Sequence, residues 1–303
     1  MSSTRKQRMS VGAWIAIAIG IASSISVAIT ANVHSQEYFQ VERTGSDDAA
    51  TVVFIPGLAT PGEVWTETAA ALGGEIDGHV ITAAGFGDVP PAGEGAFIAP
   101  IVDELAAYLR EQGEEDVTIV GHSMGAQIAL KVAASAPDLV SDVVVVDSAP
   151  FYARLFNPVI THDQAAQFGQ GMASQMAMMS REQFLAMSRQ GLMIQSITAE
   201  GQEQVFAWME RADQSAVARA MGEVAASDFR PVLTDVDAEV SVLVAWSEGA
   251  PVSAEQLQAM YAEQYQDLAS HNIEVIADSR HFIMLDQPAV FEDRLRGVLA
   301  GAQ

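Results

Sequence analysis

The chain of 303 residues contains no cysteine and few basic residues, and each shortage excludes a class of protein. Without a thiol the chain cannot form disulfides, use a thiolate nucleophile or bind a metal through cysteine. Fifteen Lys and Arg residues stand against 39 Asp and Glu residues, and the formal net charge is −24. Because nucleic-acid phosphates bind basic side chains, this balance argues against nucleic acid as a partner. It also argues against the steering of anionic substrates, and we interpret the acidic residues as a solvated surface.

Acidic residues are missing from the start of the chain, where the first one is Glu37. Before the first acidic residue, the last Lys or Arg is Arg8, and an apolar stretch, VGAWIAIAIGIASSISVAIT, follows over residues 11–30. This order is typical of a bacterial export signal, and the stretch is long enough to cross a bilayer as one helix. We predict that residues 1–35 are a signal peptide or an N-terminal membrane anchor. The remaining chain would then be secreted, periplasmic, or anchored to the inner membrane through residues 11–30 and facing the periplasm.

Long apolar runs recur along the rest of the chain and end at Gly, Pro or Ser, which is typical of strands buried on both faces. Segments with helical spacing lie between most of them, so the alternation predicts an α/β fold with a mostly parallel central sheet flanked by helices. An earlier run, residues 37–45, predicts an edge strand. The predicted core strands are 51–57, 79–87, 116–123, 141–150, 239–247 and 271–279, and the helical segments are 99–113, 125–137 and 253–270.

One stretch, residues 151–230, breaks this alternation because it has helical spacing and no strand pattern. Eight of the 13 methionines lie in it. Methionine side chains adapt their shape and line apolar binding surfaces. We therefore predict a helical cap over an apolar pocket, inserted into a core made of residues 36–150 and 231–303. We call residues 151–230 the cap segment.

The sequence GHSMG, residues 121–125, matches G-x-S-x-G and lies between a predicted strand and a predicted helix. In this context the serine sits on a sharp, strained turn that exposes its hydroxyl. Gly121 and Gly125 leave room for that turn. Ser123 is therefore predicted to be a nucleophile.

With this motif in place, the chain after residue 45 resembles an α/β-hydrolase. Three further segments are similar to the family: FIPGLATPGEVW at 54–65, AAGFGDVPPAG at 83–93 and DSRHFIMLDQP at 278–288. The last resembles the segment that carries the catalytic histidine, although Arg280 stands where Gly is usual. The resemblance implies that His281 is the base for Ser123. It also implies that the backbone N–H groups of Leu58 and Met124 form the oxyanion hole.

The acidic residue that would orient His281 departs from the common family pattern, in which an Asp follows the seventh strand. Ala250 occupies that position, and its side chain cannot orient an imidazole. Asp147 lies in the predicted strand 141–150, which corresponds to the family's sixth strand; some members of the superfamily carry the acid there, and it is our first choice. Glu248 is one alternative, and a site without any acid is the other. Asp286 is interpreted as a loop or helix cap.

A serine with a base, an acid and an oxyanion hole performs acyl transfer. We predict hydrolysis of carboxylic esters with small or medium apolar acyl or alcohol groups through an acyl-enzyme, with a small-molecule ester as partner. No cofactor or metal is implied. GFG at 85–87 is not a dinucleotide fingerprint, so NAD binding is not expected. Three alternatives stay open. They are a C–C bond hydrolase or lyase, a non-catalytic ligand-binding protein, and an aminopeptidase whose cap carboxylates would be Asp163, Glu182 and Glu210.

Overall fold

The computed structural model describes residues 32–301. The predicted leader therefore lies outside the described residues, apart from its last four, which form the first strand. Among the described residues, no helix combines the length and the apolar character needed to cross a membrane.

Eight strands of the described chain form one sheet in the order β1-β2-β4-β3-β5-β6-β7-β8. The pairs β1/β2 and β2/β4 are antiparallel, and the others are parallel. The sheet confirms the predicted α/β class. The strands are β1 (Asn32–Ser35), β2 (Phe39–Gly45), β3 (Ala50–Ile55), β4 (Ile76–Ala83), β5 (Val117–His122), β6 (Val140–Val146), β7 (Glu239–Ala245) and β8 (His271–Ile276).

One strand prediction is wrong in its position, because residues 37–45 do not form the edge of the sheet. They contain β2, which pairs with β4 on one side and with β1 on the other. β1 is the edge strand, and it comes from the end of the predicted leader, where the composition gave no strand signal.

Helices cover both faces of the sheet and also fill the interval between β6 and β7. They are α1 (Thr66–Leu72), α2 (Ile98–Gln112), α3 (Met124–Ser135), α4 (His162–Met178), α5 (Arg181–Gln190), α6 (Ala199–Arg211), α7 (Gln214–Ala226), α8 (Ala254–Tyr265), α9 (Ile283–Asp286) and α10 (Pro288–Gly301).

Alternate residues of β3 explain why the strand sequences are continuously apolar. Val52 and Phe54 pack into a cluster with Trp65 and residues of α10. Val53 and Ile55 pack on the opposite face, in a cluster that contains residues of α2 and α3. Since successive strand side chains point to opposite faces, a strand covered by helices on both sides must be apolar at every position.

The cap segment contains α4 to α7, which agrees with its helical spacing. Helices α4 and α7 approach closely at Gly169, where a Cβ atom would lie 2.3 Å from the carbonyl oxygen of Gly222. Serine or threonine side chains accept the N-terminal N–H groups at Thr161, Ser180 and Thr198, which explains where α4, α5 and α6 begin. The cap segment is thus a set of short helices, in which side-chain hydrogen bonds fix where individual helices begin.

Candidate active site

Ser123 lies on the turn between β5 and α3 with φ 53° and ψ −117°. A non-glycine residue rarely adopts a positive φ, and such strain is often kept at functional sites. Two glycines make the turn sterically feasible. A Cβ atom at Gly121 would lie 2.5 Å from the Cα of Ala126, and one at Gly125 would lie 2.2 Å from the carbonyl oxygen of Ile55. The structure thus has the strand–turn–helix geometry that the motif predicts.

His281 follows β8, and its imidazole meets the carboxylate of Asp147 after β6. Nδ1 of His281 lies 2.7 Å from Oδ2 of Asp147. The other carboxylate oxygen, Oδ1, accepts the backbone N–H of Ala245 at 2.9 Å. Asp147 itself has φ 45°, and its own N–H donates to the carbonyl oxygen of Leu243 at 2.8 Å. Both ends of this aspartate are therefore fixed by the neighbouring strand β7, so its carboxylate is held toward the imidazole.

The other acid candidates occupy different places. Glu248 lies in the loop after β7, lines the same cavity as Ser123 and is exposed. Asp286 accepts the backbone N–H of Ile197 at 3.0 Å and that of Arg280 at 2.8 Å. Asp286 is thus the loop cap that the sequence indicated. Of these three carboxylates, that of Asp147 is the one hydrogen-bonded to the imidazole of His281.

The two residues predicted for the oxyanion hole line the same cavity as Ser123. Met124 is the first residue of α3, where backbone N–H groups are free to bind a ligand and the helix dipole favours negative charge. Leu58 follows β3, next to Ala59 with φ 55°, and lines the cavity together with Met124. The structure brings both predicted residues to the cavity that contains Ser123.

His122 has a contact that the sequence did not predict. Its buried Nε2 lies 2.9 Å from the carbonyl oxygen of His281. Its ring is 4.5 Å from the rings of both His281 and Phe282. Burial, and after it the neighbouring His281, hold the pKa of His122 well below its usual range. The neutral ring therefore donates to the His281 carbonyl and supports the segment that carries the base.

Direct hydrogen bonds join the cap segment to the segment around His281. The guanidinium of Arg280 donates to the carbonyl oxygens of Met193 and Ser196. The backbone N–H of Phe282 donates to the carbonyl oxygen of Gln195 at 2.9 Å. Arg280, which stands where the family usually has Gly, thus links the cap to the His281 segment.

A cavity of about 640 Å³ lies over Ser123, His281 and Asp147. This volume is within the range of small-molecule sites. Three of the eight cap methionines line the cavity, and the others lie elsewhere, such as the exposed Met178. The cap side of the wall is mostly apolar and includes Tyr152, Leu155, Phe156, Met193, Met209 and Met221.

The carboxylates considered for an aminopeptidase are placed differently. Asp163 and Glu182 lie in the first turns of α4 and α5, and Glu210 lies near the end of α6. All three are exposed, and the described residues that line the cavity do not include them. The structure therefore offers them no contact with a ligand amine bound over Ser123.

The model of the alpha/beta hydrolase family matches residues 52–294. The chain belongs to the alpha/beta hydrolase family. A pimeloyl-[acyl-carrier protein] methyl ester esterase of Aeromonas hydrophila is 33% identical over 153 residues, which are 50% of this chain and 58% of that protein. Lipase LipV of Mycobacterium tuberculosis is 37% identical over 109 residues, 36% of this chain and 41% of that protein. The chain thus spans about half the length of these curated relatives.

The fold likeness extends further than these sequence matches. The crystal structure of a hydrolase from Pseudomonas aeruginosa superposes with a TM-score of 0.73 and covers 88% of this chain and 98% of its own. The sequence identity is 13%, so this likeness bears on the fold alone.

Proposed function

We propose that this protein is a serine esterase that hydrolyses carboxylic esters with small or medium apolar groups through an acyl-enzyme. The observation that carries the proposal is the strained Ser123 in one cavity with the His281–Asp147 pair, whose atoms are 2.7 Å apart. Two curated relatives named as an esterase and a lipase support the same class of reaction.

In the proposed mechanism, His281 takes the proton of Ser123 while the hydroxyl oxygen attacks the ester carbonyl carbon. Asp147 holds Nδ1 of His281, which leaves Nε2 free to accept that proton, and stabilises the imidazolium that forms. The backbone N–H groups of Leu58 and Met124 bind the oxyanion. His281 then protonates the leaving alkoxide, and water releases the acid from Ser123 by the same steps.

The cavity wall supports an uncharged substrate. Its apolar cap side chains gain free energy by burying alkyl groups, about 25 cal/mol for each Å² of apolar surface. The net charge of −24 opposes the approach of anionic substrates. A cavity of about 640 Å³ holds a small or medium ester in full.

Covalent labelling tests whether Ser123 is activated. We expect the purified protein to react with a fluorophosphonate probe at one site and to hydrolyse p-nitrophenyl esters. Ser123→Ala should lose both properties, whereas Ser247→Ala, a matched change of another serine that lines the cavity, should keep them. An unlabelled wild-type protein would favour a non-catalytic ligand-binding role. Labelling without ester turnover would favour C–C bond cleavage by the same residues.

We propose separately that the protein is exported, on the basis of the basic leader and the apolar residues 11–30. Fractionation of cells that express the full chain should place it in the periplasm, in the inner membrane or in the medium. A protein with an intact N-terminus in the cytosol would contradict this proposal.

A further inference from the structure

A second group of polar residues is buried near the amino-terminal ends of β3 and β4, whereas Ser123 follows the carboxyl end of β5. Asp77 and His79 lie two residues apart on β4, so their side chains share one face of the strand. Glu114 reaches the same place from the turn after α2. Asp77 and His79 are buried, and 16% of the Glu114 side chain is exposed. The site already described uses none of these residues.

The backbone places the third residue, Glu114, as firmly as the strand places the other two. Gly113 ends α2 with φ 77°, a left-handed conformation that glycine adopts readily. The N–H of Glu114 donates to the carbonyl oxygen of Leu109 at 3.0 Å, which closes the helix C-terminus. A short helix-ending turn therefore aims Glu114 at His79.

The distances among the three side chains match the coordination sphere of a small divalent cation. Nε2 of His79 lies 3.5 Å from Oδ2 of Asp77 and 3.9 Å from Oε1 of Glu114. One ligand atom from each residue lies within 4.8 Å of the others. Ligands of a tetrahedral zinc ion with bonds of about 2.0–2.2 Å are about 3.4 Å apart. A cation at the centre would draw ligand atoms that lie within 4.8 Å of one another to about 3.4 Å.

His79 is the independent sign that something binds there. Its side chain is fully buried, and its Nε2 has no hydrogen-bond partner among the described residues. Its Nδ1 lies 3.3 Å from the hydroxyl of Tyr108. If Nδ1–H donates to Tyr108, the Nε2 lone pair faces two carboxylates, an unfavourable arrangement that a bound cation would relieve.

The surroundings resemble the outer shell that positions metal ligands. Metal-binding histidines and carboxylates are usually hydrogen-bonded on their far side. Tyr108 serves His79 in this way, and the hydroxyl of Thr51 donates to Oε2 of Glu114 at 2.5 Å.

The guanidinium of Arg43 is the one cation found beside this group among the described residues, and it pairs with Asp77. It compensates one of the two carboxylates, which leaves one formal negative charge. Arg43 also lies 3.5 Å from the exposed Asp47, so its guanidinium has a second partner if an ion draws Asp77 away.

We propose that Asp77, His79 and Glu114 form a binding site for one divalent transition-metal ion, with Zn²⁺ as the best match to one imidazole and two carboxylates. This differs from the sequence expectation, in which no metal was implied. The site would link β4 to the end of α2 as a structural element. It lies about one strand length, roughly 20 Å, from Ser123, so the ion does not take part in the proposed ester hydrolysis.

Calorimetric titration of the chelator-treated full chain with ZnCl₂ tests the site, and Co²⁺ gives a spectroscopic readout through its visible absorption bands. We expect one Zn²⁺ per chain, a higher melting temperature with Zn²⁺, and Co²⁺ bands typical of four ligands. Glu114→Gln should weaken Zn²⁺ binding at least about 10- to 100-fold. The neighbouring exposed Glu115→Gln should leave it unchanged.

Histidine variants separate this site from other parts of an acidic protein. His79→Gln should abolish the Co²⁺ bands, whereas exposed His271→Gln should keep them. Equal binding by wild type and Glu114→Gln would overturn the proposal. So would loss of binding in His281→Ala, because that result would place the ion at the Asp147–His281 pair. If His79→Gln fails to fold, the Glu114 and Glu115 pair still decides the outcome.

Discussion

Replacing Asp147 with Asn would test the proposed acid, because the structure indicates which way the new amide must point. The two oxygens of Asp147 accept two different donors, the N–H of Ala245 and Nδ1 of His281. An asparagine has one oxygen and one NH₂ group for these two positions. Asn also tolerates the positive φ of residue 147, so the backbone should persist.

The Asn side-chain oxygen should continue to accept the N–H of Ala245, since a backbone N–H can only donate. The NH₂ group then faces Nδ1 of His281 and forces Nδ1 to accept. The proton moves to Nε2, so His281 can no longer take the proton of Ser123. In the opposite amide orientation, the Asn oxygen accepts from Nδ1 of His281 and restores the reactive tautomer, but the NH₂ group then faces the N–H of Ala245. This clash costs about 1–3 kcal/mol, so the opposite orientation is about 5- to 160-fold less populated.

Loss of the negative charge beside the imidazolium adds to this effect, and the total decrease in kcat should be on the order of 10⁴. The assay is p-nitrophenyl ester turnover at saturating substrate, with circular dichroism and the melting temperature as checks that the fold is intact. Glu248→Gln is the matched control and should retain most of the activity, because its carboxylate is exposed. A near-normal Asp147→Asn enzyme would refute the reasoning, and a crippled Glu248→Gln enzyme beside it would transfer the role to Glu248.

Three further predictions follow from single contacts. Gly125→Ala should lower the free energy of unfolding by at least about 1–3 kcal/mol and reduce turnover, as measured by urea denaturation and ester assay, because the new Cβ meets a backbone carbonyl at 2.2 Å. An unchanged midpoint would contradict this. Met209→Gln should change the relative kcat/KM for short and long acyl chains, by about 1–3 kcal/mol per methylene at most, whereas exposed Met178→Gln should not. Because the pKa of His122 is lowered in the folded state, the unfolded chain binds more protons below about pH 6.5, and stability falls as the pH falls. His122→Gln should reduce that slope by up to about 1.4 kcal/mol per pH unit in urea titrations, and an equal slope would show that another group dominates.

The local sequence pattern was sufficient to predict the fold class and the turn that carries Ser123. Continuous apolar runs occur where helices cover both faces of a strand, as at β3 and β6, so the strand positions could be predicted within a few residues. The strain at Ser123 could also be predicted, because the two glycines that permit it are its near neighbours. The edge strand was predicted wrongly, because β1 is short and its sequence differs little from a loop.

The sequence by itself determined the strained turn at Ser123, the segment that carries His281 and the presence of a helical insertion, since each depends on residues close together in the chain. Tertiary structure decided which carboxylate meets His281. Asp147 and His281 are 134 positions apart, and they meet because the parallel pairing of β6 and β7 sets Asp147 beside the N–H of Ala245. The same reason explains the buried group of Asp77, His79 and Glu114, where sheet pairing and a helix end bring together side chains that no local motif contains. Contacts between distant segments depend on strand order and packing, and a local pattern does not fix which strands lie side by side.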